Sequence, residues 1–166
     1  MDSIAITIAA VSALFAAASS VLTYFQVRSS SRSHEAAIYL QLTEQYAKPE
    51  IGDALSQLAR FWRESKDLHG EAAISYAEAE RSNPAEAASL RKNSRAISFY
   101  FHNAARLYQT GLLSKKATRL LINTPGLNIF YEVAAPINLA HNPSSISRDA
   151  VRTLKSILPM YGTGAF

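Results

Sequence analysis

Cysteine is absent from the 166 residues of this chain, which removes thiolate nucleophiles, thiolate metal ligands and disulfide staples together. That absence fits a reducing compartment. The six glycines form no cluster ahead of a helix, so neither a phosphate-cradling loop nor a dinucleotide fingerprint is present. No serine stands in a GxSxG elbow. The four histidines, His34, His69, His102 and His141, show neither an i, i+4 pair nor an HExxH spacing, so no metal site is expected. With every familiar means of activating a nucleophile, metal or phosphate missing, no catalytic or cofactor-binding residue is expected and the chain reads as a non-enzyme. Period-two alternation bounded by turns is also missing, which leaves no sheet.

Charge is missing where the chain starts. From Ser3 to Val27 there is no charged side chain, and Arg28 and Arg32 follow directly. An apolar run of about 25 residues is long enough to cross a bilayer core of about 30 Å as one helix. A cleaved signal peptide would carry a basic region ahead of the run, and only Met1, Asp2 and Ser3 precede it. Ala16, Ala17 and Ala18 do resemble a cleavage site. A helix buried in a water-soluble core rarely runs this far without a charge on any face. A permanent span over residues 1–28 is therefore expected, with Tyr24, Phe25, Arg28 and Arg32 at its inner edge. Basic residues after the span and none before it place the N-terminus outside and the body of the chain in the cytoplasm.

Around that span Ile4, Ile8, Val11, Phe15 and Leu22 share one helical face. Ala9, Ala13 and Ala17 recur at intervals of four, as do Ser12, Ala16 and Ser20. This is the small-xxx-small spacing that lets helix backbones approach in lipid, although alanine and serine are also simply tolerated in spans. The spacing suggests an integral-membrane partner or self-association.

The remaining length suffices for one cytosolic domain with its own core. Net charge is +4 and unevenly spread. Acids outnumber bases from Glu35 to Glu80, whereas Arg81, Arg91, Lys92, Arg95, Arg106, Lys115, Lys116 and Arg119 face only Glu86. Membrane lipid is the expected partner of this basic stretch; nucleic acid is not, because interleaved aromatics and a recognised fold motif are missing. Arg91, Arg95, His102 and Arg106 fall on one helix face as a basic stripe. It would suit anionic lipid or an acidic partner, or be a solvated face paired with the acidic half of the chain.

Helical signals run throughout. Residues 29–48 form a juxtamembrane helix, either continuous with the span or hinged at Ser29-Ser30-Ser31, packing through Ala36, Leu40, Thr43 and Ala47 with Tyr39 and Tyr46 beside them. Residues 49–160 form a helical cytosolic domain. Pro49 opens an amphipathic helix through Ile51, Leu55, Leu58 and Trp62 that ends near Gly70. A short helix from Glu71 to Arg81 stops at Asn83-Pro84. The longest soluble helix runs from Pro84 to about Gln109, burying Leu90, Ile97, Phe101, Ala104 and Tyr108, and closes at Gly111. Ser114 caps a short helix through Leu121, Pro136 bends or interrupts a helix over Leu127 to Ala140, and Asn142-Pro143 makes a turn. A last helix, opened by Ser147 and Asp149, packs through Ala150, Val151, Leu154 and Leu158 until Pro159. Residues 161–166 are a tail. The fold class expected is all-α, one N-terminal membrane helix followed by an antiparallel cytosolic bundle.

The stretches Tyr46-Ala47-Lys48-Pro49-Glu50-Ile51 and Ile97 to Ser114 (ISFYFHNAARLYQTGLLS) resemble a bacterial domain-of-unknown-function family. That family has one N-terminal membrane helix, a basic juxtamembrane helix and a small helical cytosolic domain. The resemblance implies a bacterial origin and the anchored topology, and carries no activity. The expected function is binding, as an accessory or scaffold subunit of a membrane complex or as a homo-oligomer. The other reading is a membrane-tethered sensor or effector whose helical domain responds to a ligand.

Overall fold

The computed structural model describes residues 2–68, 71–141 and 145–158; the side chains of residues 2–18, 21, 66–68, 145 and 146 lie outside that description. Among the described residues the chain is all-helical, as expected. The helices are α1 (Asp2–Tyr46), α2 (Pro49–Leu68), α3 (Ala72–Ser82), α4 (Pro84–Gln109), α5 (Lys115–Ile122), α6 (Pro125–Ile129), α7 (Ala135–His141) and α8 (Ser145–Ile157). A π-helical turn, Phe130–Ala134, joins α6 to α7. Contacts divide the chain into two units, Met1–Ala37 and Ile38–Phe166.

In the first unit α1 is continuous through Ser29-Ser30-Ser31, so no hinge forms there. Serine disfavours helix only mildly, and the Ser33 hydroxyl returns a hydrogen bond to the Ser29 carbonyl at 3.1 Å. Among the described residues no helix is long and apolar enough to cross a membrane. The side chains of Ile4, Ile8, Ala9, Val11, Ser12, Ala13, Phe15, Ala16 and Ala17, where the two expected faces fall, lie outside the described residues. So do the Gly70 stop, the Asn142-Pro143 turn, Pro159 and the tail 161–166.

The second unit is built around α4, which packs against α2, α3, α5, α7, α8 and the π-helical turn. Its inner face buries Ala87, Leu90, Ser94, Ile97, Ser98, Phe101, Ala104 and Ala105, a period of three and four that tracks one side of a 3.6-residue helix. Phe101 stacks on Phe130 with ring centroids 4.9 Å apart and meets Tyr100 edge-on at 5.0 Å. The start of α4 is fixed by Asn83. Its amide oxygen accepts from the Glu86 N–H at 3.4 Å, and its amide nitrogen donates to the Glu86 carboxylate at 3.0 Å, while Pro84 occupies the first turn where no donor is needed. The end is a Schellman closure. Gly111 takes φ +74°, its N–H reaches Tyr108 O at 3.0 Å and the Leu112 N–H reaches Leu107 O at 2.9 Å.

Pro136 interrupts its helix in a specific way. A proline there would drive its ring into the carbonyl of Glu132 in a regular α-helix. The chain widens instead, and the Ala135 N–H bonds Phe130 O five residues back, a π-helical turn of the kind found inside α-helices.

Two packing faces differ from the sequence expectation. On the C-terminal part of α1, Ala36, Leu40, Thr43 and Ala47 are exposed, and the face turned inward is Ile38, Leu42 and Tyr46. Both sets follow helical spacings of three and four, and the larger apolar side chains take the inside because they remove more surface from water. On α2 the most buried positions are Ile51, Ala54, Leu58, Phe61 and Ser65, with Leu55 and Trp62 half-buried at the edge. The face expected from Ile51, Leu55, Leu58 and Trp62 is rotated by about one position.

Two phenylalanines two positions apart on α4 give a direct check of this packing, since Phe101 is 0 % exposed and Phe99 is 59 % exposed. Phe101→Ala is expected to cost about 3–5 kcal/mol and Phe99→Ala to stay within about 0.5 kcal/mol in denaturant unfolding. Equal losses would contradict the assignment of faces.

Candidate functional site

The four residues of the expected basic stripe do not behave alike. Arg95 and Arg106 are exposed, whereas Arg91 and His102 are half-buried. At 3.6 residues per turn, Arg95, Phe99, Arg106 and Lys92 lie in one narrow arc of α4, and Arg91 and His102 fall on its edge, turned toward α7 and the π-helical turn.

Arg91 belongs to a polar seam. Its Nη1 lies 2.8 Å from His141 Nε2, and its Nη2 lies 3.9 Å from a Glu80 carboxylate oxygen. A guanidinium only donates, so Nε2 of His141 is the acceptor in this hydrogen bond. One turn along α4 the seam continues inward. Ser94 Oγ donates to Asn138 Oδ1 at 3.1 Å, while Asn138 Nδ2 donates to Ser98 Oγ at 2.6 Å and approaches Ser94 O at 3.3 Å. Ser94 and Ser98 are buried, and hydrogen bonding to Asn138 satisfies hydroxyls that would otherwise be costly there. The seam fixes α7 on α4 and joins residues that sequence spacing kept apart, with no local signal linking Asn138 or His141 to α4.

His102 sits against aromatic rings and not on a free surface. Its ring meets Phe130 edge-on at 5.9 Å, and burial pulls its pKa below the ordinary histidine value. Burial, and not the charge of the neighbouring arginines, is the cause. Among the described residues Nε2 of His102 has no hydrogen-bond partner, and neither have the buried hydroxyls of Tyr76, Thr124 and Tyr131. Burial likewise pushes the Tyr131 phenol above its usual range, and Lys155 Nζ lies 5.4 Å from the centre of that ring. The Tyr100 phenol is raised too, by burial first and then by Tyr46 and Tyr39; its hydroxyl donates to Leu121 O at 3.1 Å and ties the end of α5 to α4.

Among the described residues no three histidine or acidic side chains are grouped to hold a metal ion. At the expected membrane edge, Tyr24, Phe25, Arg28 and Arg32 are all exposed, and Arg28 Nη1 donates to the Tyr24 hydroxyl at 3.2 Å one turn back. Ser20, at the end of the small-residue series, is exposed. No family model, curated protein or solved structure matches the chain.

Burial of His102 has a consequence for pH. Because its folded pKa lies below the unfolded value, the unfolded chain takes up a proton that the folded chain resists. The stability it contributes is present above the ordinary histidine pKa and is lost as pH falls through the lowered one. Thermal unfolding of the full chain between about pH 7 and pH 5 should therefore show a smaller acid loss in His102→Leu than in wild type. Identical slopes would show that His102 stays solvated.

Proposed function

We propose that the chain is a membrane-anchored helical protein that acts by binding, as an accessory or scaffold subunit of a membrane complex or as a homo-oligomer. Residues 1–28 span the cytoplasmic membrane with the N-terminus outside, and an antiparallel helical domain works in the cytoplasm. One observation carries this reading. Leu22, Tyr24, Phe25 and Val27 are 62 %, 59 %, 60 % and 64 % exposed, and at 3.6 residues per turn they point all around the helix axis. A helix in water hides its large apolar side chains on one face; a helix wetted by lipid has no such need. The sequence carries no charge from Ser3 to Val27, and the Arg28 to Tyr24 hydrogen bond sits where an aromatic and a basic side chain favour the interface between acyl chains and water.

Binding rather than catalysis is supported by the polar groups, which are spent on holding helices together. The Ser94, Ser98 and Asn138 cluster links α4 to α7. The sensor or effector reading draws on the unpaired buried atoms of Tyr76, His102, Thr124 and Tyr131, which would give a ligand polar groups to meet.

The test begins with native membranes carrying the chain, washed in alkaline carbonate and then solubilised in mild detergent. Wild type should stay in the washed pellet and bring a protein partner, or a second copy, through purification. Ala13→Leu with Ala17→Leu should stay in the pellet and lose that companion, because the small-residue face no longer lets a helix approach. Release of wild type by carbonate would overturn the anchor, and undiminished co-purification of the variant would overturn the packing face.

A further inference from the structure

From Ala87 to Tyr131 the chain has no acidic residue, while Arg91, Lys92, Arg95, Arg106, Lys115, Lys116 and Arg119 all fall within that interval. Three of these seven cations fall on the short helix α5. On α5 the inward positions are Thr118, Leu121 and Ile122, and the outward half of the helix carries Lys115, Lys116, Arg119 and Leu120, all exposed. Leu112, in the turn that precedes α5, is exposed as well. Leu112 and Leu120 are 51 % and 58 % exposed, in a unit whose neighbouring Leu113 and Leu121 are buried.

The elements around α5 reinforce the sign of the charge. It packs on α4 and α8. At the C-terminal turn of α4, Arg106 is exposed, and Gln109 Nε2 donates to Thr153 Oγ1 of α8 at 2.6 Å. Helix α8 carries exposed Arg148, Arg152 and Lys155 against a single acid, Asp149, whose carboxylate lies 3.9 Å from Arg152. The glutamates and aspartates of the second unit stand mostly on the last turns of α1 and on α2 and α3. Cations of one sign around exposed leucines form a surface that water and a neutral protein partner each satisfy only in part. Anionic lipid satisfies both halves, taking leucine side chains among its acyl chains and lysine and arginine at its headgroups.

We propose that α5 and the turn before it are a docking surface for an anionic lipid leaflet, with Leu112 and Leu120 entering below the headgroups and Lys115, Lys116 and Arg119 binding headgroup phosphates. This rests on the anchored reading only for proximity. Ten residues separate Arg28 from Ile38, a length of chain that cannot exceed about 35 Å, so an anchored chain delivers its second unit to the surface it would bind. The Tyr100 hydroxyl, by holding the Leu121 carbonyl, keeps the outward half of α5 facing away from the core.

Because the chain holds no cysteine, Leu120→Cys gives a single thiol for an environment-sensitive dye. The full chain is reconstituted into vesicles of phosphatidylcholine alone or of phosphatidylcholine with phosphatidylglycerol, and vesicle flotation is recorded beside dye emission. The dye should shift to the blue in the anionic vesicles and not in the neutral ones. That shift should be lost at raised salt and in Lys115→Glu with Lys116→Glu and Arg119→Glu, three exposed substitutions whose thermal unfolding should match wild type. The proposal is overturned by an unshifted dye in anionic vesicles that carry the protein, by equal shifts in both compositions, or by a shift produced by an RNA oligomer and not by vesicles. Failure of the anchor reads out separately, as protein that does not float with neutral vesicles.

Discussion

The inner face of α4 is the constraint on which the second unit depends. Helices α2, α3, α5 and α8 and the π-helical turn find their main partner in α4, and α7 packs on it as well; the Phe101 to Phe130 stack at 4.9 Å lies where α4 meets the π-helical turn. Burial of two aromatic rings supplies several kcal/mol of hydrophobic stabilisation, and their placement requires the chain after Pro125 to arrive with Phe130 turned inward. The widened turn at Phe130–Ala134 answers that demand and the steric demand of Pro136 together. A helix that cannot stay regular at Pro136 is shifted by one residue, and Tyr131, Val133, Ala134, Ala135 and Ile137 all remain buried.

A polar seam runs along the side of α4 that meets α7. Ser94, Ser98 and Asn138 close on one another, and Arg91 reaches across to His141 and Glu80. These groups set the register of α7 against α4, because a buried hydroxyl without its partner would cost about 1–3 kcal/mol. The exposed arc of α4 and the outward half of α5 are left with Arg95, Arg106, Lys115, Lys116 and Arg119 in solvent. Charge of one sign thus collects where the fold does not use it. The first unit has the complementary character: its described part shows large apolar side chains to solvent from Leu22 to Val27.

Helix limits were legible in the sequence because local chemistry writes them. Asn83 with Pro84, Gly111 and Ser114 each act within four residues of themselves, and each stands where capping rules put it. The core side of α4 was legible for the same reason, from Leu90, Ile97, Phe101 and Ala104. What could not be read was decided by neighbours far along the chain. Leu40 and Leu42 are equally apolar, and only the packed helices determine that Leu42 turns inward. His102 stands in sequence among arginines, yet Phe130, twenty-eight residues away, is what removes it from water. Lys92 and Phe99 complete the true outward arc of α4, and the lack of acids after Glu86 was the signal that pointed to it. The bond from Arg91 to His141 had no signal at all, since fifty residues separate the pair.

Lipid as the solvent of the first two dozen side chains is the claim that holds placement and partnership together. The most direct measurement introduces single cysteines one at a time from Ile4 to Ala36 in the full chain, reconstituted in vesicles, and records their reaction with a membrane-impermeant maleimide. The account predicts protection across about 20 consecutive positions ending near Phe25 and open reaction from Ser29 onward. Reaction at every position, or protection that repeats every three to four residues as on a helix packed in a water-soluble core, would contradict it.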